Sequence, residues 1–206
     1  MAELAQHWDG VYAGHALDQV SWHEDVPSVS LRLLSSAMPD ARSVVDVGAG
    51  ASRLSDRLVE LGTPRVTVLD ISQVALDVVR LRSTAGPAVQ YVVADVTSWQ
   101  ADDEYDAWHD RAVFHFLVDA QDQASYIATT MAAVRVGGVV VLGVFAEDGP
   151  TECSGLPTVR WEPAELAAAF GEAFVLEHSE REEHKTPSGT IQPFSWVVLR
   201  RRTPNP

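Results

Sequence analysis

A chain of 206 residues has room for one compact α/β domain with a substrate cap, and none for a second catalytic domain. Its hydrophobic fraction of 46% supports a sizeable core, while a formal net charge of −14 repels phosphate backbones and anionic lipids, so neither nucleic acid nor a bare membrane is an expected partner. The single cysteine, Cys153, excludes an internal disulfide and a cysteine zinc cluster, and no metal site is expected.

The N-terminus carries no signal pattern, and no apolar run approaches the roughly 18 residues of a membrane span. A cytoplasmic location is therefore expected. Lys185 is the single lysine beside fourteen arginines, a bias that suggests a G+C-rich bacterial genome. Residues 1–40 read as a cap, with Trp8, Tyr12, Trp22 and His23 around a polar stretch and a helix from Pro27 to Ala37 that stops before Pro39. Residues 41–206 read as the main domain.

From Ser43 the pattern becomes strand, loop, helix, repeated. Ser43 to Val47 is a buried strand ending at Gly48, and Ser52 to Leu61 a helix closed by Gly62. Arg65 to Leu69 is a second strand, after which Ser72 can cap a helix carrying Val74, Leu76, Val78, Val79 and Leu81. Val89 to Val93 is a third strand and Tyr105 to Trp108 begins a fourth, followed by a helix from Ala120 to Val134. Val139 to Phe145 is the fifth and most apolar strand. This alternation predicts a parallel, doubly wound sheet with helices on both faces. The tail breaks the rhythm, with a helix from Pro163 to Gly171 and then strands Phe174 to Ser179 and Ile191 to Leu199. Two strands without an intervening helix should pair antiparallel.

The loop Gly48-Ala49-Gly50-Ala51-Ser52 follows a strand and opens a helix, so its backbone can turn sharply and its N–H groups can face an anion. Asp46 stands two residues earlier and can accept from a cationic amine. A ligand with both a carboxylate and an ammonium, as a methionine group has, satisfies both features. Asp70 ends the second strand, where an acid can accept both ribose hydroxyls. Asp95 ends the third and is placed to accept from an adenine amino group, with Val96 and Trp99 bordering the ring. A nicotinamide dehydrogenase fits less well, because the third fingerprint glycine would fall at Arg53.

With Val44-Val45-Asp46-Val47-Gly48-Ala49-Gly50, Val68-Leu69-Asp70-Ile71-Ser72 and Ala94-Asp95-Val96, the sequence resembles the class I S-adenosylmethionine-dependent methyltransferases, over roughly residues 40 to 200. Val20-Ser21-Trp22 and Trp108-His109-Asp110-Arg111 resemble in particular the small bacterial members of the type 11/12 grouping. The resemblance implies a Rossmann-like seven-stranded sheet, five parallel strands plus a C-terminal antiparallel hairpin. It implies S-adenosylmethionine as cofactor and S-adenosylhomocysteine as product. Asp46, Gly48, Ala49 and Gly50 would hold the methionine part, Asp70 and Ile71 the ribose, and Asp95 and Val96 the adenine, with Asp110 of the fourth-strand motif also counted among the cofactor contacts. Ser52 departs from the third glycine that many members carry.

Methyl transfer to N, O or S is an in-line displacement governed by alignment, with a base needed only when the acceptor must lose a proton. His115, beyond the fourth strand, is the candidate base. Tyr12, Trp22, Arg111, Cys153 and His184 are candidate acceptor contacts. A small-molecule acceptor is the expected partner, with the enzyme a monomer or a homodimer. The alternatives are a protein lysine methyltransferase, since an acidic face attracts a basic target, and a module that binds S-adenosylmethionine without catalysis.

Overall fold

The computed structural model describes residues 2–203. Its helices are α1 (Ala2–Gly14), α2 (Ser28–Ala37), α3 (Leu54–Glu60), α4 (Gln73–Arg82), α5 (Ala120–Ala133) and α6 (Pro163–Ala169). The strands are β1 (Ser43–Val47), β2 (Arg65–Asp70), β3 (Val89–Val93), β4 (Tyr105–Arg111), β5 (Val134–Phe145), β6 (Glu152–Cys153), β7 (Leu156–Pro157), β8 (Phe174–Lys185) and β9 (Ile191–Arg201). Seven of them form one sheet in the order β3-β2-β1-β4-β5-β9-β8, while β6 and β7 make a separate two-residue ladder. The first five strands run parallel, and β9 lies antiparallel between β5 and β8.

Alternation along the strands sends successive side chains to opposite faces. Val45, Val47, Trp108, Val140 and Leu142 pack on one face with Tyr126 of α5 and Leu166 of α6. Val44, Ala107, Val139 and Val141 pack on the other with Leu33 and Leu34 of α2, Leu54 and Leu58 of α3, and Leu76 of α4. Both faces are covered, which is why the parallel strands read as near-continuous apolar runs. Two side chains secure helix starts: Ser72 accepts from the Ala75 amide at α4, and Asp119 from the Gln121 amide at α5.

The chain builds β1, β2 and β3 to one side and then returns to place β4 against the other side of β1. That reversal opens a crevice at the carboxyl ends of β1 and β4. Helix α1 and the segment that follows it lie over this edge, whereas α2 packs against the sheet itself. Asp9 of α1 is the clamp: its Oδ1 accepts from Ser72 Oγ at 2.7 Å and from the Val74 amide at 3.2 Å, at the start of α4.

Several boundaries differ from the pattern read in the sequence. Helix α5 ends at Ala133 and β5 begins at once with Val134, since Val134 to Gly138 carries on the chain in extended form. The terminal hairpin is also longer: β8 continues through the charged run Glu177 to Lys185, which apolar periodicity does not flag as strand. Those charges lie on an edge strand, where they oppose further strand pairing. The helix α1 and the β6–β7 turn are additions of the structure.

Candidate active site

The β1–α3 loop is built around two glycines in the left-handed region, Gly48 at φ 57° and Gly50 at φ 53°. A Cβ at Gly48 would stand 1.9 Å from Val113 Cγ2, and one at Gly50 would stand 2.1 Å from the Tyr12 hydroxyl. The loop is therefore a cradle pressed between the turn after β4 and the helix α1, and neither position admits a side chain. Asp70 fixes its shape from the neighbouring strand. Its Oδ2 accepts from the Gly50 amide at 2.7 Å, and its Oδ1 from the Ser72 amide at 2.8 Å. Burial raises the Asp70 carboxyl to about 6 in spite of those two bonds.

Two connected spaces lie along this edge. The larger is a cavity of about 330 Å³. Gly48, Asp70, Ile71, Asp95 and Val96 line its floor, and Trp8, Tyr12, Trp22, Phe116, Phe145 and Phe194 wall it with rings. The rings of Trp8 and Trp22 meet edge-on at 5.9 Å, and those of Trp8 and Phe116 at 5.2 Å. Cys153, Leu156 and Pro157 close one end through the β6–β7 turn, and Gln192 enters from the terminal hairpin. Asp95 uses Oδ1 to accept from the amide and hydroxyl of Thr97, at 2.9 and 2.7 Å, which orients the carboxylate.

The smaller space, about 60 Å³, is lined by Asp46, Gly48, Ala49, Ser52, Glu24 and Arg111, with Tyr12 and Trp22 shared. Asp46 is buried; its Oδ1 receives His109 Nδ1 at 2.7 Å, while its Oδ2 has no hydrogen-bond partner among the described residues. His109 Nε2 lies 2.9 Å from Ser30 Oγ of α2. Across the space, Arg111 donates through Nη1 to the Trp22 carbonyl at 2.9 Å and its Nε forms an ion pair with Glu24 Oε2 at 3.4 Å, while neither Nε nor Nη2 has a hydrogen-bond partner among the described residues. Its guanidinium sits 4.9 Å above the Phe194 ring. Burial pushes the Glu24 carboxyl up, against the opposing pull of Arg111. A buried carboxylate oxygen and a buried guanidinium nitrogen, both without partners, match the two charged ends of an amino acid. Each such orphan costs about 1–3 kcal/mol unless satisfied. Together with the glycine cradle and the acids Asp70 and Asp95, they fit a nucleoside that carries an amino-acid tail.

The structure thus brings Asp46, Gly48, Ala49, Asp70, Ile71, Asp95 and Val96 to one edge, with Tyr12, Trp22, Arg111 and Cys153 around the same spaces. Gly50 forms the back of the cradle. Burial also raises the Cys153 thiol, so it presents a small neutral side chain to the cavity.

Three other candidate residues line neither space. Asp110 faces away from both spaces: with 0% exposure, its carboxylate accepts from the amides of Val113 and Phe114 at 2.8 and 3.0 Å and from the Tyr126 hydroxyl at 2.6 Å. It shapes the turn that presents Val113 to Gly48. His115 is also 0% exposed. Its Nδ1 accepts from the Phe145 amide at 3.2 Å, and its ring lies 4.2 Å from that of Phe145. Burial drives it down to about 3, so it is a neutral histidine behind the cavity wall and not a base at the reacting centre. His184 lines neither space. Its Nε2 donates to the Ser21 carbonyl at 2.8 Å, tying the terminal hairpin to the cap.

His109 and Ser30 were not singled out by the sequence. The adjacency of His109 to Asp46 depends on β4 lying beside β1, where the two residues are register partners. Phe116, Phe145 and Phe194 were likewise placed at the cavity by the fold.

The chain is similar to known proteins in part of its sequence and in its fold. Residues 44–138 match a family model described as a methyltransferase domain. Nodulation protein S of Rhizobium tropici is 25% identical over 111 residues, which span 54% of this chain and 46% of that protein; the match thus covers about half the length of the relative. Among solved structures, an S-adenosylmethionine-dependent methyltransferase from Anabaena variabilis superposes with a TM-score of 0.77 at 16% identity, over 98% of this chain and 94% of that one. The 1,6-didemethyltoxoflavin-N1-methyltransferase of Burkholderia thailandensis, solved with 1,6-didemethyltoxoflavin and S-adenosylhomocysteine bound, gives 0.75 at 21%, over 98% and 90%. At these identities the superpositions establish the fold.

Proposed function

We propose, from the match of residues 44–138 to a methyltransferase domain model, that this chain transfers a methyl group from S-adenosylmethionine to an N, O or S atom of a small-molecule acceptor. The observation that carries the reading is the run of cradle, acids and aromatic chamber along one sheet edge. Asp46 and Arg111 take the ammonium and carboxylate of the methionine part, the Gly48–Gly50 loop lies beneath it, Asp70 takes the ribose hydroxyls and Asp95 the adenine amine. Asp70 remains able to do so, because each carboxylate oxygen has a second lone-pair site beyond the one given to the loop amides.

Bound there, the sulfonium supplies a methyl group that is already electrophilic. The chain's own work is alignment and exclusion of water. Trp8, Tyr12 and Trp22 cover the edge from the cap. Phe116, Phe145 and Phe194 offer flat apolar faces to an acceptor, and Gln192 offers one amide for orientation. With His115 buried out of reach, the reading assigns no side chain as base and favours acceptors that are nucleophilic at neutral pH.

A chamber walled by rings and covered by α1 suits a small flat molecule better than a lysine on a protein surface. Likewise, the solved toxoflavin-type relative holds a small heterocycle. The test is transfer of labelled methyl from S-adenosylmethionine, screened over small amines, thiols, phenols and heterocycles and over lysate protein. Label in a small molecule supports the reading. Label confined to protein displaces it in favour of a protein methyltransferase, and cofactor binding without transfer to any class leaves a binding module.

A further inference from the structure

The group left over by this account is the buried chain Ser30–His109–Asp46. It joins α2, β4 and β1, and all three side chains line the small space beside the glycine loop. We infer that Ser30 and His109 are positioning residues that hold the Asp46 carboxylate, charged and correctly turned, as the receptor for the α-ammonium of the bound cofactor; this rests on the methyltransferase reading above.

The geometry carries the inference. Asp46 shares its side of the sheet with His109, its register partner on β4. One oxygen is pinned at 2.7 Å by Nδ1, which leaves the other, Oδ2, as the free acceptor at the space. A buried carboxylate with one free oxygen rotates unless the bonded oxygen is held. A ring bonded at both nitrogens, with the Trp196 ring tilted beside it at 6.2 Å between centroids, cannot swing freely. The remaining question is the proton. If the Ser30 hydroxyl donates to Nε2, the ring is neutral, carries its hydrogen on Nδ1 and donates it to Oδ1. Asp46 then keeps its full negative charge. A doubly protonated ring would neutralise it and weaken its attraction for an ammonium. Ser30 thereby acts through His109, and His109 through Asp46, in the manner of outer partners that orient a ligand-bearing group. Neither residue touches the ribose or adenine ends of the site.

That separation gives the test. S-adenosylhomocysteine carries the ammonium, and 5′-methylthioadenosine has the same nucleoside without the amino-acid tail. Calorimetry of both against wild type and variants reads the tail alone. For His109→Phe, about a tenfold loss of affinity is expected for S-adenosylhomocysteine, the scale of one charge-assisted contact, with 5′-methylthioadenosine changed by about twofold or less. His109→Asn, whose amide can still donate to Oδ1, should recover most of the loss, and it serves if His109→Phe does not fold. Ser30→Ala should cost about threefold, again for the tailed ligand alone. Equal losses for both ligands would make the chain a packing feature and overturn the inference, as would no loss for either. If the wild type binds neither nucleoside, the methyltransferase reading itself fails, an outcome distinct from these.

Discussion

At the scale of single residues, the same side-chain chemistry carries different work depending on which way a strand turns it. Asp46 and Asp110 both sit near the crevice on neighbouring strands, yet one faces the ligand space and the other caps a turn. Asp70→Ala should weaken S-adenosylhomocysteine binding by about thirtyfold or more, because it removes the proposed ribose acceptor and frees the Gly50 amide together. Calorimetry checks this, and unchanged affinity would remove Asp70 from the ribose. His115 makes a prediction about pH. Its folded value lies well below that of the unfolded chain, so stability is present above the ordinary histidine range near 6.5 and is lost as pH falls toward 3. The loss should reach about 2 kcal/mol by pH 5. Asp70 and Asp110, raised to about 6, act in the opposite sense: their contribution is present below the ordinary carboxylate value and fades as pH rises through 6. His115→Gln isolates the first effect. Its urea-unfolding free energy should fall less steeply than that of wild type between pH 7 and pH 5, and its turnover should survive. Lost turnover with intact cofactor binding would return His115 to the acceptor.

At the scale of elements, the cradle depends on the turn after β4 as much as on its own glycines. Gly48→Ala meets both a left-handed backbone and the Val113 methyl, and should reduce S-adenosylhomocysteine affinity by about a hundredfold. Adding Val113→Ala removes the 1.9 Å contact, leaving a tight 3.3 Å approach to the Cβ of residue 113 and the backbone strain of about 1–2 kcal/mol, so the double variant should recover part of the affinity. Full recovery would show that the positive φ is unimportant, and no recovery that the contact is. Helix α1 is held at its Asp9 clamp. Asp9→Ala should speed proteolytic cleavage within residues 2–27 by about tenfold while leaving the sheet intact, because the clamp's two hydrogen bonds lie between α1 and α4. Equal cleavage rates would mean that the aromatic contacts of Trp8 and Tyr12 hold the cap alone.

At the scale of the whole molecule, charge repulsion and strand order govern what local pattern leaves open. A net charge of −14 favours expansion, so the melting temperature at pH 7 should rise by a few degrees as sodium chloride increases from about 20 to 300 mM. A fall would mean that ion pairs such as Arg135–Asp106, at 2.6 Å, outweigh the repulsion. No helix among the described residues is long and apolar enough to cross a membrane. Legibility divides along the same line. The amino-acid sequence by itself determined the alternating strands and helices, the glycine loop, and Asp70 at the end of β2, while Asp95, expected to end β3, lies two residues past its last residue, Val93; periodicity, turn chemistry and motif spacing act over a few neighbouring residues. It reached Tyr12, Trp22, Arg111, Cys153, His115 and His184 only as candidates, and it did not reveal that Asp110 and His115 are fully buried. What those side chains do depends on strand order and on the facing of each strand, which are set by long-range packing. Only the tertiary structure put β4 beside β1, so that His109 meets Asp46 across a gap of 63 residues. The same packing buried His115 behind Phe145 and gathered the rings of four distant segments into one chamber, because apolar surfaces from both ends of the chain bury each other at this edge.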